Sequence, residues 1–310
     1  MIDLRRLHVL RVVDQLGTLT AAAHSLHLTP SAVSQQLRQL ARELDVPLLE
    51  PDGRRVRLTP AAHALLRHAD DLAVRWEQAR GELQTYAEQA GRLLRLCGFP
   101  SSLDMVVAPA AAHLRHHAPQ LRVRVAEVET ADAFERLLAA DVDIAVVVPN
   151  MGGPGVNDPR FEQQPLLDEP QDLLVPLGHP LAGRPDAALE EAAHDPWVLA
   201  APGTCDQHEL AMVACAAAGF SPDVVHVVKE WSAVASVVAH GLGVALVPRL
   251  VRIPTELPVA RVPLRDAPTP RRRLLTCTRR GSRQQRHIAL GLEALDAAAR
   301  AATASTAPAA

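Results

Sequence analysis

The side chains best placed for chemistry in this chain hold and read another molecule; they do not form a bond-breaking set. Between Pro30 and Leu44, the residues Ser31, Ser34, Gln35, Arg38 and Arg42 share one face of a helical repeat. Small hydroxyls, an amide and guanidiniums are the groups that meet base edges and phosphates in a DNA groove. Gln35 suits a bidentate pair with adenine, and Arg38 suits guanine or a phosphate. Arg54, Arg55 and Arg57 cluster just after an Asp52-Gly53 turn. A third group is hydroxyl-rich and lies far along the chain: Ser101 and Ser102, then Gly203 and Thr204, with Trp231 and Ser232 as a weaker pair. No serine elbow, no histidine–carboxylate grouping and no phosphate-binding glycine loop is present, since Gly241-Leu242-Gly243 is too short. His113, His116 and His117 are expected on a solvated helix face, and His24 and His27 on a surface turn. No metal site, catalytic residue or cofactor is expected.

The first group needs a helix to carry it. Thr29 is a good N-cap and Pro30 suits the first helical position. Val33, Leu37, Leu40 and Leu44 recur at helical spacing and form the buried stripe opposite the polar face. Before it, Asp3–Asp14 carries a helical apolar pattern ended by Gly17. Thr18 or Thr20 then caps a short helix whose Ala21, Ala22 and Ala23 permit a close helix crossing. Asp52-Gly53 between short apolar runs predicts a hairpin, hence a wing with arginines at its tip. Residues 1–60 hold eight Arg and six acids, a net charge of plus two, so any attraction to phosphates must come from placement.

From these residues the chain resembles the LysR-type transcriptional regulators. The resemblance rests on the run AAAHSLHLTPSAVSQQLRQLARELDVPLLEPDGRRVRLTPAA. It implies that the base-reading positions are Pro30, Ser31, Ser34, Gln35 and Arg38, with Thr29, Arg54 and Arg55 completing the DNA contacts. Three positions depart from the family's habit. Pro30-Ser31 stands where Gln-Pro is frequent, Gln35 where Arg is usual, and Leu49-Glu50-Pro51 where Phe-Glu-Arg is frequent. These changes leave the fold intact and bear on the operator sequence.

Residues 61–90 lack proline, and Ala62, Leu65, Ala69, Leu72, Trp76, Ala79, Leu83, Tyr86 and Ala90 alternate steps of three and four. A seam held that long favours pairing with a second copy over packing on its own domain. Leu65, Leu72, Trp76, Leu83 and Tyr86 are therefore expected at a dimer contact. The family resemblance implies the same linker pairing, and with it a homodimer or homotetramer on a roughly palindromic operator.

From Arg92 onward, short apolar runs alternate with helical stretches. Strands are expected at Leu93–Cys97, Val123–Val128, Ile144–Val148, Asp172–Val175, Val198–Ala200, Val224–Val228, Gly243–Val247 and Leu274–Thr278, with helices near 104–117, 131–140, 206–218 and 231–240. Chain crossings at the Pro-rich stretches Pro149–Pro165 and Val251–Pro270 would divide this half into two lobes around a cleft. GHPLAG, AAPGT, AAAGF and AHGLGVALVPR likewise resemble the family's effector domain, which is built like periplasmic solute-binding proteins. The expected architecture is α+β and multidomain. It comprises a winged helix-turn-helix over 1–60, a dimerising linker helix over 61–90 and a two-lobed α/β effector domain over 91–295. Lobe 1 is expected at about 91–162 and 266–295, lobe 2 at about 163–265, and a disordered tail at 296–310.

Ligands of open α/β sheets sit at strand C-termini near helix N-termini. Ser101, Ser102, Gly203 and Thr204 hold such places, with hydroxyls and backbone N–H groups that suit an anion. The resemblance also implies effector contacts there, and Trp231 and Ser232 follow another strand. Val147, Val148 and Pro149 are expected in the wall. The reading is a DNA-binding regulator gated by a small, anionic effector, with double-stranded operator DNA as partner and RNA polymerase as a further one.

An enzyme using the cleft and a transport-type binding protein are the competing classes. The first lacks a reactive set; the second lacks a signal peptide, because MIDLRRLHVLRVV has no h-region. No long uninterrupted apolar run is present, so a membrane is not an expected partner and the expected location is cytoplasmic. The cysteines are Cys97, Cys205, Cys215 and Cys277, with no CxxC pair. Cys205 and Cys215 lie ten apart near a helix start, a place where a thiol can become reactive, but Cys215 is expected as buried packing and Cys205 as a pocket-edge residue.

Overall fold

The computed structural model describes residues 4–52, 55–85, 92–149, 153–265 and 269–305. The chain forms two compact units, Met1–Arg80 and Gly81–Ala310.

The first unit opens with helices α1 (Leu4–Leu16), α2 (Leu19–Ser25) and α3 (Pro30–Leu44). Gly17, at φ +68°, ends α1 in the left-handed region that glycine adopts without strain. Thr18, the first of the two expected caps, accepts the Ala21 N–H and starts α2. Strands β1 (Leu49–Asp52) and β2 (Arg55–Leu58) pair antiparallel, with Glu50 opposite Arg57. Helix α4 (Pro60–Thr85) follows. Its N-terminus is fixed by Thr59, whose Oγ1 accepts the Ala62 N–H and donates to the Pro47 carbonyl. Val33, Leu37 and Leu40 of α3 join Leu7, Leu10 and Val13 of α1, Ala22 and Ala23 of α2, and Leu66 of α4 in one core. An Arg11–Asp70 ion pair ties α1 to α4.

The second unit begins with β3 (Arg92–Gly98), α5 (Pro100–Ser102), a π-helical turn (Leu103–Val107) and α6 (Ala108–His117). It continues through β4 (Leu121–Glu127), α7 (Thr130–Leu138), β5 (Ile144–Val147) and β6 (Phe161–Pro176). Then come β7 (Pro196–Leu199), α8 (Asp206–Ala217), β8 (Asp223–Val227), α9 (Trp231–Ala239) and β9 (Ala245–Pro248). It ends with β10 (Val259–Pro263), β11 (Arg271–Arg279) and α10 (Arg286–Ser305). The main sheet runs β10-β6-β11-β5-β3-β4, with β9 also on β6, while β7 and β8 pair in parallel.

Two lobes follow from how β6 is shared. Its first part, Phe161–Pro170, pairs with β11 beside β5, β3 and β4. Its second part pairs with β10 and β9. Lobe 1 buries Leu94, Leu96, Val106, Leu114, Ile288, Leu292 and Leu295 on one sheet face, and Phe134, Leu137 and Phe161 on the other. Lobe 2 packs α8 through Ala211 and Cys215 near Trp197 and Leu246, and packs α9 through Val234, Ala235 and Val238.

Three expectations are corrected. The first crossing is made inside β6 near Pro170 and Gln171, not across Pro149–Pro165, because β6 is one continuous strand from Phe161. Strand β10 lies within the Pro-rich stretch read as a connection. The segment expected to be disordered from 296 is helical to Ser305, because Leu295 and Ala299 bury on lobe 1; residues 306–310 lie outside the described residues.

Candidate nucleic-acid interface and effector cleft

Helix α3 has one buried apolar face and one exposed polar face. Thr29 Oγ1 accepts the Ala32 N–H at 3.2 Å and lies 3.0 Å from Ser31 Oγ, which caps the helix. Val33 and Leu40 are fully buried while Thr29, Pro30, Ser31, Gln35, Arg38 and Arg42 are exposed and Ser34 is partly so. Arg38 Nη1 donates to Ser34 Oγ at 2.7 Å, holding the guanidinium along this face. Arg42 donates to Gln39 and so lies along the helix. Before α3, His27 has a left-handed backbone at φ 53°, and the Leu28 N–H returns to the Ala23 carbonyl. These features make the tight turn that sets α2 against α3.

The wing is the β1–β2 hairpin. Its Arg57 pairs with Glu50 at 2.6 Å, so its charge is partly spent locally. Arg54 lies outside the described residues, and Arg55 is placed only as the strand partner of Asp52. On α4, Leu65 turns into the core of its own unit, whereas Leu72, Trp76 and Leu83 are 52%, 58% and 62% exposed. Tyr86 lies outside the described residues.

The second unit holds a cleft of about 1290 Å³ lined from both lobes. Glu129, Thr130, Val148 and Pro149 come from lobe 1; Leu189, Glu190, Gly203–Asp206, Glu209, Leu210 and Val213 come from lobe 2; Thr269–Arg271 also line it. Gly203 and Thr204, expected from the sequence, line it. Ser101, Ser102, Trp231 and Ser232 are not among its lining residues. Ser102 is fully buried and its Oγ donates to the Phe99 carbonyl at 2.8 Å. Trp231 packs on the α9 side of lobe 2, and Ser232 is exposed.

Several of the donors expected to hold an anion are already committed. Gly203 N–H donates to Glu209 Oε1 at 3.3 Å, Thr204 donates to the Ala201 carbonyl through both N and Oγ1, and Ser102 N–H donates to the Phe99 carbonyl. The N-terminal turn of α8 carries its own carboxylates, Asp206 and Glu209. Burial pushes the Asp206 carboxyl above its ordinary range against the pull of Arg272, with Glu129 and Glu209 adding to the rise. Sequence reasoning passed over these acids, although the signal was present in the run Thr204-Cys205-Asp206-Gln207-His208-Glu209.

Burial raises Cys205 at the α8 N-cap, and burial pushes Cys215 up to about 12. Among the described residues no group of three metal-ligating side chains exists, and no helix is long and apolar enough to cross a membrane.

The chain matches two sequence families over most of its length. The LysR substrate binding domain matches residues 87–300, and the bacterial regulatory helix-turn-helix protein, lysR family, matches residues 4–63. The transcriptional dual regulator GltC of Bacillus subtilis is 28% identical over 267 residues, covering 83% of this chain and 87% of GltC. A probable hydrogen peroxide-inducible genes activator of Mycobacterium avium is 29% identical, covering 82% of this chain and 81% of that protein. A cysteine mutant of Corynebacterium glutamicum OxyR superposes with a TM-score of 0.63 at 22% identity, covering 98% of this chain and 93% of that one, which shows a shared fold.

Proposed function

The chain belongs to the LysR-type family of transcriptional regulators, a non-enzymatic family that binds DNA and effector molecules, and on that premise we propose how this member does so. Helix α3 enters the major groove with Ser31, Ser34, Gln35 and Arg38 toward base edges, Thr29 and Pro30 at its tip, and Arg54 and Arg55 on the flanking backbone. The observation that carries this reading is the division of α3 into a buried apolar stripe and an exposed face of small, amide and cationic groups.

Two copies pair through Leu72, Trp76 and Leu83 of α4, whose exposure on a water-facing helix supports a partner surface. Pairing sets two α3 helices on a roughly palindromic operator, as a homodimer or a homotetramer, and the regulator acts in the cytoplasm where that DNA is. The effector occupies the interlobe cleft beside Gly203 and Thr204. It acts by having different affinity for the two lobe arrangements, without which it would shift nothing. RNA polymerase contact would follow from changed DNA geometry.

We favour an anionic effector less, because the Gly203 and Thr204 N–H groups of the cleft already have acceptors and the lining carries four carboxylates. A peroxide-sensing role, which the name of the Mycobacterium avium relative brings to mind, is not favoured either. Cys205 and Cys215 are both pushed up by burial and not down toward the reactive thiolate.

The test is a footprint of the purified protein on its own upstream DNA at two salt concentrations. Protection of a dyad of half-sites that weakens steeply with salt is the expected result. Equal affinity for random DNA would contradict the assignment.

A further inference from the structure

Resting on the cleft being the effector site, we propose that its ligand is a small organic cation, a primary ammonium on an apolar body, with the ammonium against the Asp206 carboxylate. The lining supplies the carboxylates Glu129, Glu190, Asp206 and Glu209, against the single guanidinium of Arg271. The nearby cations already have partners. Lys229 is paired with Glu129, Arg271 bridges to Asp168 at 3.1 Å, and the buried Arg272 holds Glu169 at 2.7 Å through Nε. With Glu129 set against Lys229, the unbalanced charge facing the cleft comes from Glu190, Asp206 and Glu209 and is negative.

Asp206 is a second and independent observation. Its Oδ2 is buried without a hydrogen-bond partner, although the residue lines the cleft at the first turn of α8. A buried carboxylate oxygen without a donor carries a desolvation cost that folded proteins ordinarily relieve with a partner. Among the described residues none supplies that donor to Oδ2. A protonated amine has three donors and no acceptor, so it supplies the donor that Oδ2 lacks once a side-chain rotation turns that buried oxygen to the cleft, and it has donors left for a neighbouring acceptor. Glu190 and Glu209 are exposed on the same lining and add attraction over distance.

The remainder of the wall fixes the body of the ligand. Leu189, Leu210, Val213, Ala214 and Ala217 form an apolar side, with Val148 and Pro149 from lobe 1. A bare metal ion or ammonium ion would leave that surface and most of the roughly 1290 Å³ unused. An amine with an aryl or branched alkyl group uses both halves. An anion of the same shape would be placed against the acids of the lining and find its expected backbone donors engaged.

The experiment is thermal-shift and calorimetric titration of the full chain with benzylamine and phenethylamine, each matched with a carboxylate of similar shape, benzoate and phenylpropanoate. The expected result is a rise in Tm with the amines alone. Asp206→Asn should weaken amine binding roughly tenfold or more, the loss expected of a charge-assisted hydrogen bond. Glu190→Gln, at an exposed position, should weaken it by a smaller factor and carries the test should Asp206→Asn fail to fold. Stabilisation by the carboxylates alone would overturn the proposal and leave the effector reading of the cleft standing. Stabilisation by neither class would also overturn it, while the regulator reading continues to be judged by the footprint. Amine binding unchanged in both variants would remove Asp206 and the acidic lining as its basis.

Discussion

Arg272 Nε donates to Glu169 Oε1 at 2.7 Å, and both residues are almost fully buried where β6 leaves lobe 1 for lobe 2. Glu169 Oε2 also accepts the Leu250 N–H at 3.2 Å, which ties in the segment after β9. The Arg272 guanidinium rests 5.2 Å from the centre of the Phe99 ring. A buried ion pair with this many partners fixes where the lobes join.

Removing one partner should be costly. Glu169→Ala leaves a buried guanidinium and a buried N–H without acceptors, and should destabilise the effector unit by about 3–5 kcal/mol in urea unfolding. The double change Glu169→Met with Arg272→Leu removes both charges together and should cost less than either single change. A single change costing under about 1 kcal/mol would show that the pair does not hold the crossing.

Asp206 gives a pH-dependent prediction. Its folded carboxyl titrates above its unfolded value because burial outweighs Arg272, and Glu129 and Glu209 face the same place. A raised carboxyl contributes its full stability below the unfolded value and loses it as pH rises through the folded one. Without ligand, Asp206→Asn should therefore have a higher Tm than the parent near pH 7, and the gap should close toward about pH 4. A gap of constant size across that range would contradict the assignment.

The exposed seam on α4 predicts an assembly defect without a folding defect. Trp76→Glu should weaken self-association at least roughly tenfold in sedimentation experiments, as loss of a buried aromatic anchor does. The Tm of its unit should change little, because Trp76 is not in that unit's core. An unchanged assembly would move the dimer contact elsewhere.

The thiols should be quiet. Burial pushes Cys97 and Cys215 up to about 12 and raises Cys205 and Cys277 as well. Cys215 should resist iodoacetamide at neutral pH until the chain unfolds, and Cys205 should react more slowly than free cysteine. Mass spectrometry after peroxide treatment should find no Cys205–Cys215 disulfide; finding one would restore a redox role.

Helix α3 was legible because its signals are local. The Thr29 cap, Pro30 and the Val33–Leu37–Leu40 stripe act within one helix and need no distant partner. Strand β6 was read only over Asp172–Val175, since Pro165, Pro170 and Pro176 argue against a strand. The fold accommodates Pro165 at a register shift opposite Leu275 and Pro170 at the lobe crossing, neither of which is a local property. Helix α10 was hidden by its alanine-rich composition, although Ile288, Leu292, Leu295 and Ala299 keep helical spacing. In the cleft, Gly203 and Thr204 were found from the strand-to-helix rule, but the occupied state of the Gly203 N–H depends on where the Glu209 side chain goes.

The most direct measurement is operator affinity of the parent, Gln35→Ala and Arg38→Ala on the protected dyad and on scrambled DNA, each at two salt concentrations. Gln35→Ala should lose about 1–3 kcal/mol on the operator and almost nothing on scrambled DNA. Arg38→Ala should weaken binding too, with a shallower salt dependence where it meets phosphate. If both variants bind operator and scrambled DNA as the parent does, α3 is not the reading helix and the account fails at its centre.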